Sequence, residues 1–489
     1  MASGAALSRG GPLSLLLAFL LIGATLVNVI YALGELAIMY PISGGFYTYS
    51  TRFIDPSWGF AMGWNYCLQW SLTLPLEMTV AAEVIKFWRP DIHVSIWISV
   101  FLLVIVLINV FGVRGYGEEE FWASALKLTA IGIFVVIGLV LVLGGGPKDG
   151  VYDEYQGARL WHEGAGPIKN GFPGFCSVFV TATFAYAGTE LVGLAAAESK
   201  TPVKSLPTAV KLVFWRVAVF YVLPLLLIGF LVNSNDERLF GSGSPYVSTT
   251  ASPFVIVAVD GGLQGLDSFI CTVIVVSVIS IGNAGVYGAS RTLTALAEQG
   301  YAPKVFSYVD QAGRPLTSTC IMIACGLLAY INCAAAGVEL FGWLLALSGL
   351  AVLFTWGSIC VAHIRFRAAW KYHGHTLDEI PFKALFGVWG SWVSLVMMVL
   401  VLVAQVLVAV KPPGGGTNSV EGFFKSCLAL PVIICLWSCG YLWKRKGWLS
   451  LSEIDVDTGK MDIDWAAIRT QKQSRKSSSI SKIILRFLF

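Results

Sequence analysis

The sequence predicts an all-α polytopic membrane protein, and three observations carry that prediction. Of its 489 residues, 56% are hydrophobic and 13% are charged, against about 25% charged in soluble chains. Apolar runs of spanning length recur along the whole chain, and about 20 apolar residues cross a bilayer. Glycine is frequent (51), as are aromatic residues (29 Phe, 17 Trp and 17 Tyr), which suits packed membrane helices with interfacial rings.

Eleven runs read as spans, near 12–38, 58–87, 94–111, 121–143, 172–196, 212–232, 264–290, 317–334, 338–363, 386–410 and 424–443. The longest polar connections are 144–171 and 233–262. A membrane domain, 1–443, is therefore followed by a polar tail, 444–489, whose "RKSSSISK" stretch reads as disordered and open to phosphorylation. One set of alternating loops holds Arg52, Arg114, Lys200, Lys204, Lys211, Arg291, Lys304, Arg314, Arg365, Arg367, Lys371 and Lys383, and the tail adds Lys444, Arg445 and Lys446. The opposite set holds fewer, such as Arg89, Lys148, Arg159 and Lys169. Basic residues mark the cytosolic side, so the first set and the tail are expected in the cytosol. An odd number of spans then puts Met1 outside.

The first run follows "MASGAALSRGGP". It lacks a basic n-region and exceeds the roughly 7–15 apolar residues of a signal peptide, so it reads as a span. An ionisable residue inside a span is a functional candidate, because burying it costs about 3 kcal/mol or more. Glu35, in "YALGELAIMYPISGG", stands near the cytosolic end of this run and fits an interfacial or a gating role. In the second run Glu77 follows Pro75 and is expected to face the bundle interior, as a structural or a coupling carboxylate. The third run reads as a span on apolar length alone.

The fourth run carries Lys127 in "FWASALKLTAIGIF". Its neighbours one turn away, Ala123, Ser124 and Ala130, offer no opposite charge. A lysine taken out of water exchanges its proton readily, which suits a proton carrier; the other reading is a lysine snorkelling to the interface. The preceding "GEEEFW" reads as a solvated helix start. The fifth run, "FVTATFAYAGTELVGLAAAE", mixes Gly188 and Gly193 with hydroxyls and Glu190. Glycine lets a helix open, and broken helices facing a midplane site bind small zwitterions. A close-packed glycine beside an interhelical glutamate is the alternative.

The sixth run is plain apolar length. In the seventh, Ser277, Ser280 and Asn283 recur at i, i+3 and i+6 and share one helix face. Such a stripe lines a cavity or bonds to a neighbouring helix. In the ninth, Ser348–Gly349 sits mid-span and is able to loosen the helix. The eighth, tenth and eleventh again rest on length. Most of the ten cysteines lie in apolar runs and read as small buried hydrophobes. There is no P-loop, nucleophile elbow or HExxH, and the five histidines form no metal-ligand cluster. No cofactor, metal or nucleic acid is expected, and no catalytic pair at one depth points to an enzyme.

Several long segments resemble fungal plasma-membrane amino-acid permeases, most closely the general amino-acid permease subgroup. They are "LGELAIMYPISGGFYTYSTRFIDPSWGFAMGWNYCLQW", "TFAYAGTELVGLAAAESKTPVKSLPTAVKLVFWRVAVFY", "GNAGVYGASRTLTALAEQGYAPKVFSYVDQAGRPL", "WLLALSGLAVLFTWGSICVAHIRFR" and "DEIPFKALFGVWGS". The resemblance spans nearly the whole chain. It implies the fold of the amino acid–polyamine–organocation superfamily: two inverted five-helix repeats plus two C-terminal helices. It also implies proton-coupled uptake of amino acids, of broad specificity, across the plasma membrane.

Site residues follow from the same resemblance. The unwound stretch of the sixth helix falls on Ala185, Tyr186, Ala187 and Gly188. Phe184 matches an aromatic gate and Glu190 the acidic residue after the break. Lys127 matches a fifth-helix lysine standing where sodium-coupled relatives hold sodium. Ser277, Ser280 and Ser348 join these as candidate substrate contacts, and Glu77 joins Lys127 and Glu190 as a candidate for proton coupling. A Gly-rich "IGTGLF"-like stretch of the family's first helix would precede "ASGAALSRGGP". The expectation is thus a chain starting after that helix, with about eleven spans and little transport of its own. A non-transporting amino-acid sensor or a degenerate permease is the alternative function.

Overall fold

The structure, a computed structural model, describes residues 2–42, 44–162, 166–198, 202–240, 252–333, 337–415 and 418–461. Lys200, the "RKSSSISK" stretch and part of the 233–262 connection lie outside them.

Helices α1 (Ala2–Met39), α2 (Phe46–Phe53), α3 (Pro56–Ile85), α4 (Val94–Val110) and α5 (Gly112–Val142) come first. A short α6 (Arg159–His162) precedes α7 (Gly171–Tyr186), α8 (Leu191–Glu198), α9 (Pro202–Val217) and α10 (Leu223–Leu231). Then follow α11 (Pro253–Asp260), α12 (Leu266–Glu298), α13 (Leu316–Cys325), α14 (Gly337–Tyr372), α15 (Gly387–Val410), α16 (Val420–Cys427) and α17 (Ala429–Lys444). Among the described residues, 8 helices are long and apolar enough to cross a membrane, and two shorter apolar ones are Val94–Val110 and Ala429–Lys444.

Three elements differ from the apolar runs, each for a local reason. The first run begins at 12, but the helix begins at Ala2 and kinks at Gly11, whose φ is 80°. Glycine takes that φ without strain, and Pro12 lacks the N–H that a new first turn leaves unpaired. The connection before α7 ties the kink down, with Leu13 N bonded to Pro167 O (3.0 Å) and Lys169 N to Gly10 O (2.9 Å). The fourth helix starts at Gly112 and takes in the whole "EEE" run. The sixth span changes at Ala218–Val222 into a π-helical turn.

Close packing is set by small residues. On α12, Gly282, Gly285 and Gly288 lie three apart and face α3 and α8. A Cβ at Gly285 would stand 2.7 Å from the Trp70 ring, and one at Gly288 2.7 Å from Leu191. Such a stripe lets helix backbones approach closely. Helix α14 is joined to α3 by three polar contacts: Trp58 Nε1 to Ser358 Oγ (2.8 Å), Asn65 Nδ2 to Ala351 O (3.2 Å), and Thr73 Oγ1 with Ser348 Oγ (2.9 Å). The far ends of α1 and α14 are pinned by charge. Glu35 Oε1 and Oε2 accept from Arg367 (2.5 and 2.8 Å). Glu35 also meets His363 Nε2 at 3.1 Å and accepts from Ala384 N at 2.7 Å.

The polar tail does not leave the bundle at once. Leu449 N bonds to Ile54 O (3.0 Å) and Met461 N to Met39 O (2.9 Å). The Tyr40 hydroxyl donates to Val456 O (2.6 Å), and Arg365 clamps Phe53 O and Leu449 O. Residues 449–461 therefore lie across the ends of α1, α2 and α14.

Candidate functional site

The fifth apolar run breaks in two. Helix α7 ends at Tyr186 and α8 starts at Leu191, so Ala187–Glu190 form a turn between them. Gly188 makes the turn, at φ 87°. Glu190 has no exposed surface. Its carboxylate accepts from Gly188 N (3.1 and 3.2 Å) and from Trp356 Nε1 on α14 (3.2 Å). It thus folds back to satisfy one of the amides the break sets free. Phe184, Ala185 and Ala187 are half-buried at the same level. Tyr186 is buried; its hydroxyl donates to Phe19 O (3.1 Å), and its ring lies 4.6 Å from that of Tyr221.

Helix α3 presents a polar face to this break. Tyr66, Gln69 and Trp70 stand at i, i+3 and i+4, on one side of the helix. The Trp70 ring would be 3.4 Å from a Cβ at Gly188. Among the described residues, Tyr66 Oη, Gln69 Oε1 and Trp70 Nε1 are buried without a hydrogen-bond partner. The Tyr66 hydroxyl lies beside the Glu190 carboxylate but does not meet full hydrogen-bond geometry. Buried polar atoms are rarely left unpaired, and each costs about 1–3 kcal/mol. Tyr66 and Trp70 thus bring two unmatched donors beside the break and its carboxylate, and Gln69 adds a buried acceptor on α3; a zwitterion would satisfy such groups.

Lys127 is not isolated, which corrects the sequence reading. Its Nζ donates to Ser280 Oγ on α12 (3.0 Å) and lies 3.6 Å from Glu120 Oε1. Ser280 in turn donates to Glu120 Oε2 (2.6 Å). Glu120 precedes Lys127 by two helical turns, hence on the same face, and both side chains are long enough to close that gap. The "EEE" run is accordingly more than a solvated start: Glu119 Oε2 also accepts from Asn283 Nδ2 (2.9 Å). The polar stripe of α12 is used for helix-to-helix bonding at Ser280 and Asn283. Ser277 instead bonds its own helix, at Val273 O (2.6 Å).

The other candidates lie apart from these two groups. Ser348 is fully buried and engaged with Thr73. Glu77 is 7% exposed on α3, opposite Gly282 of α12. A cavity of about 500 Å³ joins Ala185 at the break to Glu120 and Lys127, and Phe19, Arg216 and Tyr221 also line it.

Sequence reasoning missed Tyr66, Gln69, Trp70, Trp356, Glu120 and Arg216. Arg216 was findable. It lies four residues into the sixth apolar run, 212–232, so the burial-cost argument applies to it. The α3 trio was visible as an i, i+3, i+4 face in "NYCLQW". Trp356 carried no signal, because a tryptophan in an apolar run looks like any other.

The family described as amino acid permease matches residues 1–453. The amino-acid permease inda1 of Hypocrea atroviridis is 58% identical over 472 residues, covering 96% of this chain and 82% of that protein. The general amino-acid permease GAP1 of Saccharomyces cerevisiae is 45% identical over 487 residues, 98% of this chain and 80% of the relative. The general amino-acid permease GAP2 of Candida albicans is 45% identical over 478 residues, 97% and 80%. A crystal structure of the Eremococcus coleocola manganese transporter, in complex with an aromatic bis-isothiourea compound, aligns with a TM-score of 0.50 at 12% identity. That alignment covers 90% of this chain and 92% of the other, and the likeness speaks to the helical transporter fold.

Proposed function

From its membership in the amino acid permease family, to which this chain belongs, we propose that it takes up amino acids of broad specificity across the plasma membrane, driven by the proton gradient. It is a multi-pass membrane protein and a transporter rather than an enzyme. The amino-acid substrate follows the family. Breadth follows the general permeases among its relatives.

One observation supports the site assignment above the rest: a broken span whose surroundings hold unmatched polar groups. In this reading Glu190 and Gln69 Oε1 receive the ammonium, and Trp70 N–H and the Tyr66 hydroxyl receive the carboxylate. Proton coupling is assigned to Lys127. Its ammonium is held by Glu120 and Ser280, so loss of the proton would end its ion pair with Glu120, while the Ser280–Glu120 and Asn283–Glu119 bonds keep α5 on α12. Glu77 is kept as a second coupling candidate for its burial on the face of α3 that meets α12. The basic loops and tail support a cytosolic C-terminus.

The test is uptake of labelled amino acids by permease-deficient yeast expressing the gene, with and without a proton gradient. Saturable, gradient-dependent accumulation of several amino acids is expected. Binding without flux would favour a sensor, and flux indifferent to the gradient would remove the coupling assignment.

A further inference from the structure

Arg216 lies four residues into the sixth apolar run, in the last turn of α9 before the π-helical turn, and lines the cavity beside the break. An arginine at membrane depth is retained only where something compensates its charge. Among the described residues its one hydrogen bond is a long contact from Nη2 to the Tyr221 hydroxyl (3.4 Å), and the Tyr221 ring is 6.0 Å from its guanidinium carbon.

Glu120 and Glu190 are the carboxylates whose charge reaches it, and neither is bonded to it among the described residues. Glu120 holds Lys127 and Ser280, and Glu190 holds Gly188 N and Trp356. The π-helical turn that starts two residues after Arg216 inserts an extra residue into the helical ladder. Such turns often mark functional positions. Here it brings Tyr221 both to Arg216 and to Tyr186 at the break. The guanidinium therefore has donors to spare, faces an open space reaching Ala185, and is tied to the break through two tyrosines.

We propose that Arg216 is a specificity-determining residue that receives the side-chain carboxylate of acidic amino acids. In the reading above, the α-amino and α-carboxyl groups go to Glu190, Gln69, Tyr66 and Trp70, and the cavity at Ala185 gives a longer side chain a path toward Arg216, so a second carboxylate is the anion it would meet. A planar guanidinium pairs two-pronged with a carboxylate, which the ammonium of lysine cannot do. This inference rests on the amino-acid transport reading.

The test compares uptake of labelled glutamate and leucine in permease-deficient yeast expressing the parent, Arg216→Lys or Arg216→Gln, at matched surface amounts. The glutamine variant should lose glutamate uptake by about 10–100-fold, the worth of a hydrogen bond to a charged group, and lose leucine uptake by much less. The lysine variant should fall between. Parallel loss of both substrates, or retention of both, overturns the proposal, as does a parent that carries leucine but not glutamate. A parent that carries neither fails the transport reading alone. In that case, melting of the purified proteins decides this inference: glutamate should stabilise the parent more than Arg216→Gln, and equal stabilisation contradicts it.

Discussion

The indole N–H of Trp356 donates to Glu190 Oε2 at 3.2 Å, and this bond joins α14 to the broken span at its weakest point. Glu190 has no exposed surface and so no water to replace the tryptophan. Removing a hydrogen bond to a buried charged group costs about 1.5–3 kcal/mol. Trp356→Phe should therefore lower the melting temperature of the purified protein and, by releasing Glu190, raise the KM for a neutral amino acid. Glu190→Gln should impair coupling or affinity. Kinetics across pH check both, and full activity of Glu190→Gln at every pH would leave the glutamate a purely structural role.

Lys127→Ala should abolish accumulation against a gradient while leaving some exchange. Ser280→Ala should weaken accumulation less, because Glu120 still holds the lysine. The measurement is the steady-state ratio of inside to outside label. An unchanged ratio in Lys127→Ala would remove the lysine from the coupling step.

The Glu35–Arg367 pair should matter for stability more than any surface pair. Side-chain exposure is 0% for Glu35 and 8% for Arg367, whereas Arg89 and Asp91 are each 60% exposed. Breaking a buried pair costs about 3–5 kcal/mol, because one charge is left unpaired; an exposed pair is worth about 0–1 kcal/mol. Arg367→Gln should therefore lower the melting temperature of the purified protein markedly. Arg89→Gln should leave it near the parent value. Equal melting of the two variants would contradict this account.

The loop between α14 and α15 should keep its cap in acid. Thr376 N and Oγ1 donate to Glu379 Oε1 (2.8 and 3.0 Å), and His375 Nδ1 lies 2.8 Å from Oε2. These contacts, the Thr376 amide first, lower the Glu379 carboxyl from the usual 4.5 to about 2. A lowered carboxyl stabilises the fold above its ordinary value and loses that contribution as pH falls through the lowered one. Exchange protection of the Thr376 amide should persist below the ordinary glutamate range and fade near about 2. In Glu379→Gln it should be weak at every pH.

The spans were legible because apolar length is a strong, local signal. The break was legible in part: glycine and a carboxylate inside an apolar run are conspicuous, and the resemblance put the unwound stretch at Ala185–Gly188, but α7 keeps Ala185 and Tyr186 helical and the turn runs from Ala187 to Glu190. What could not be read were the pairings across helices. Glu120 looked solvated because its partners, Lys127 and Ser280, are two turns and a whole helix away. Trp356 and the α3 trio gained meaning only once α3, α8 and α14 met around the break. The docking of residues 449–461 was hidden for the opposite reason. It is made by backbone groups, with Tyr40 and Arg365 as clamps, and polar sequence does not announce backbone contacts.

The central claim is that an amino acid is held at the break by Glu190 and the α3 face. The most direct measurement is binding of a labelled neutral amino acid to the purified protein, compared among the parent, Glu190→Gln and Trp70→Phe. Saturable binding in the parent, weakened about tenfold or more in both variants by loss of a bond to a charged group, is the predicted result. Equal affinity in all three proteins would contradict it.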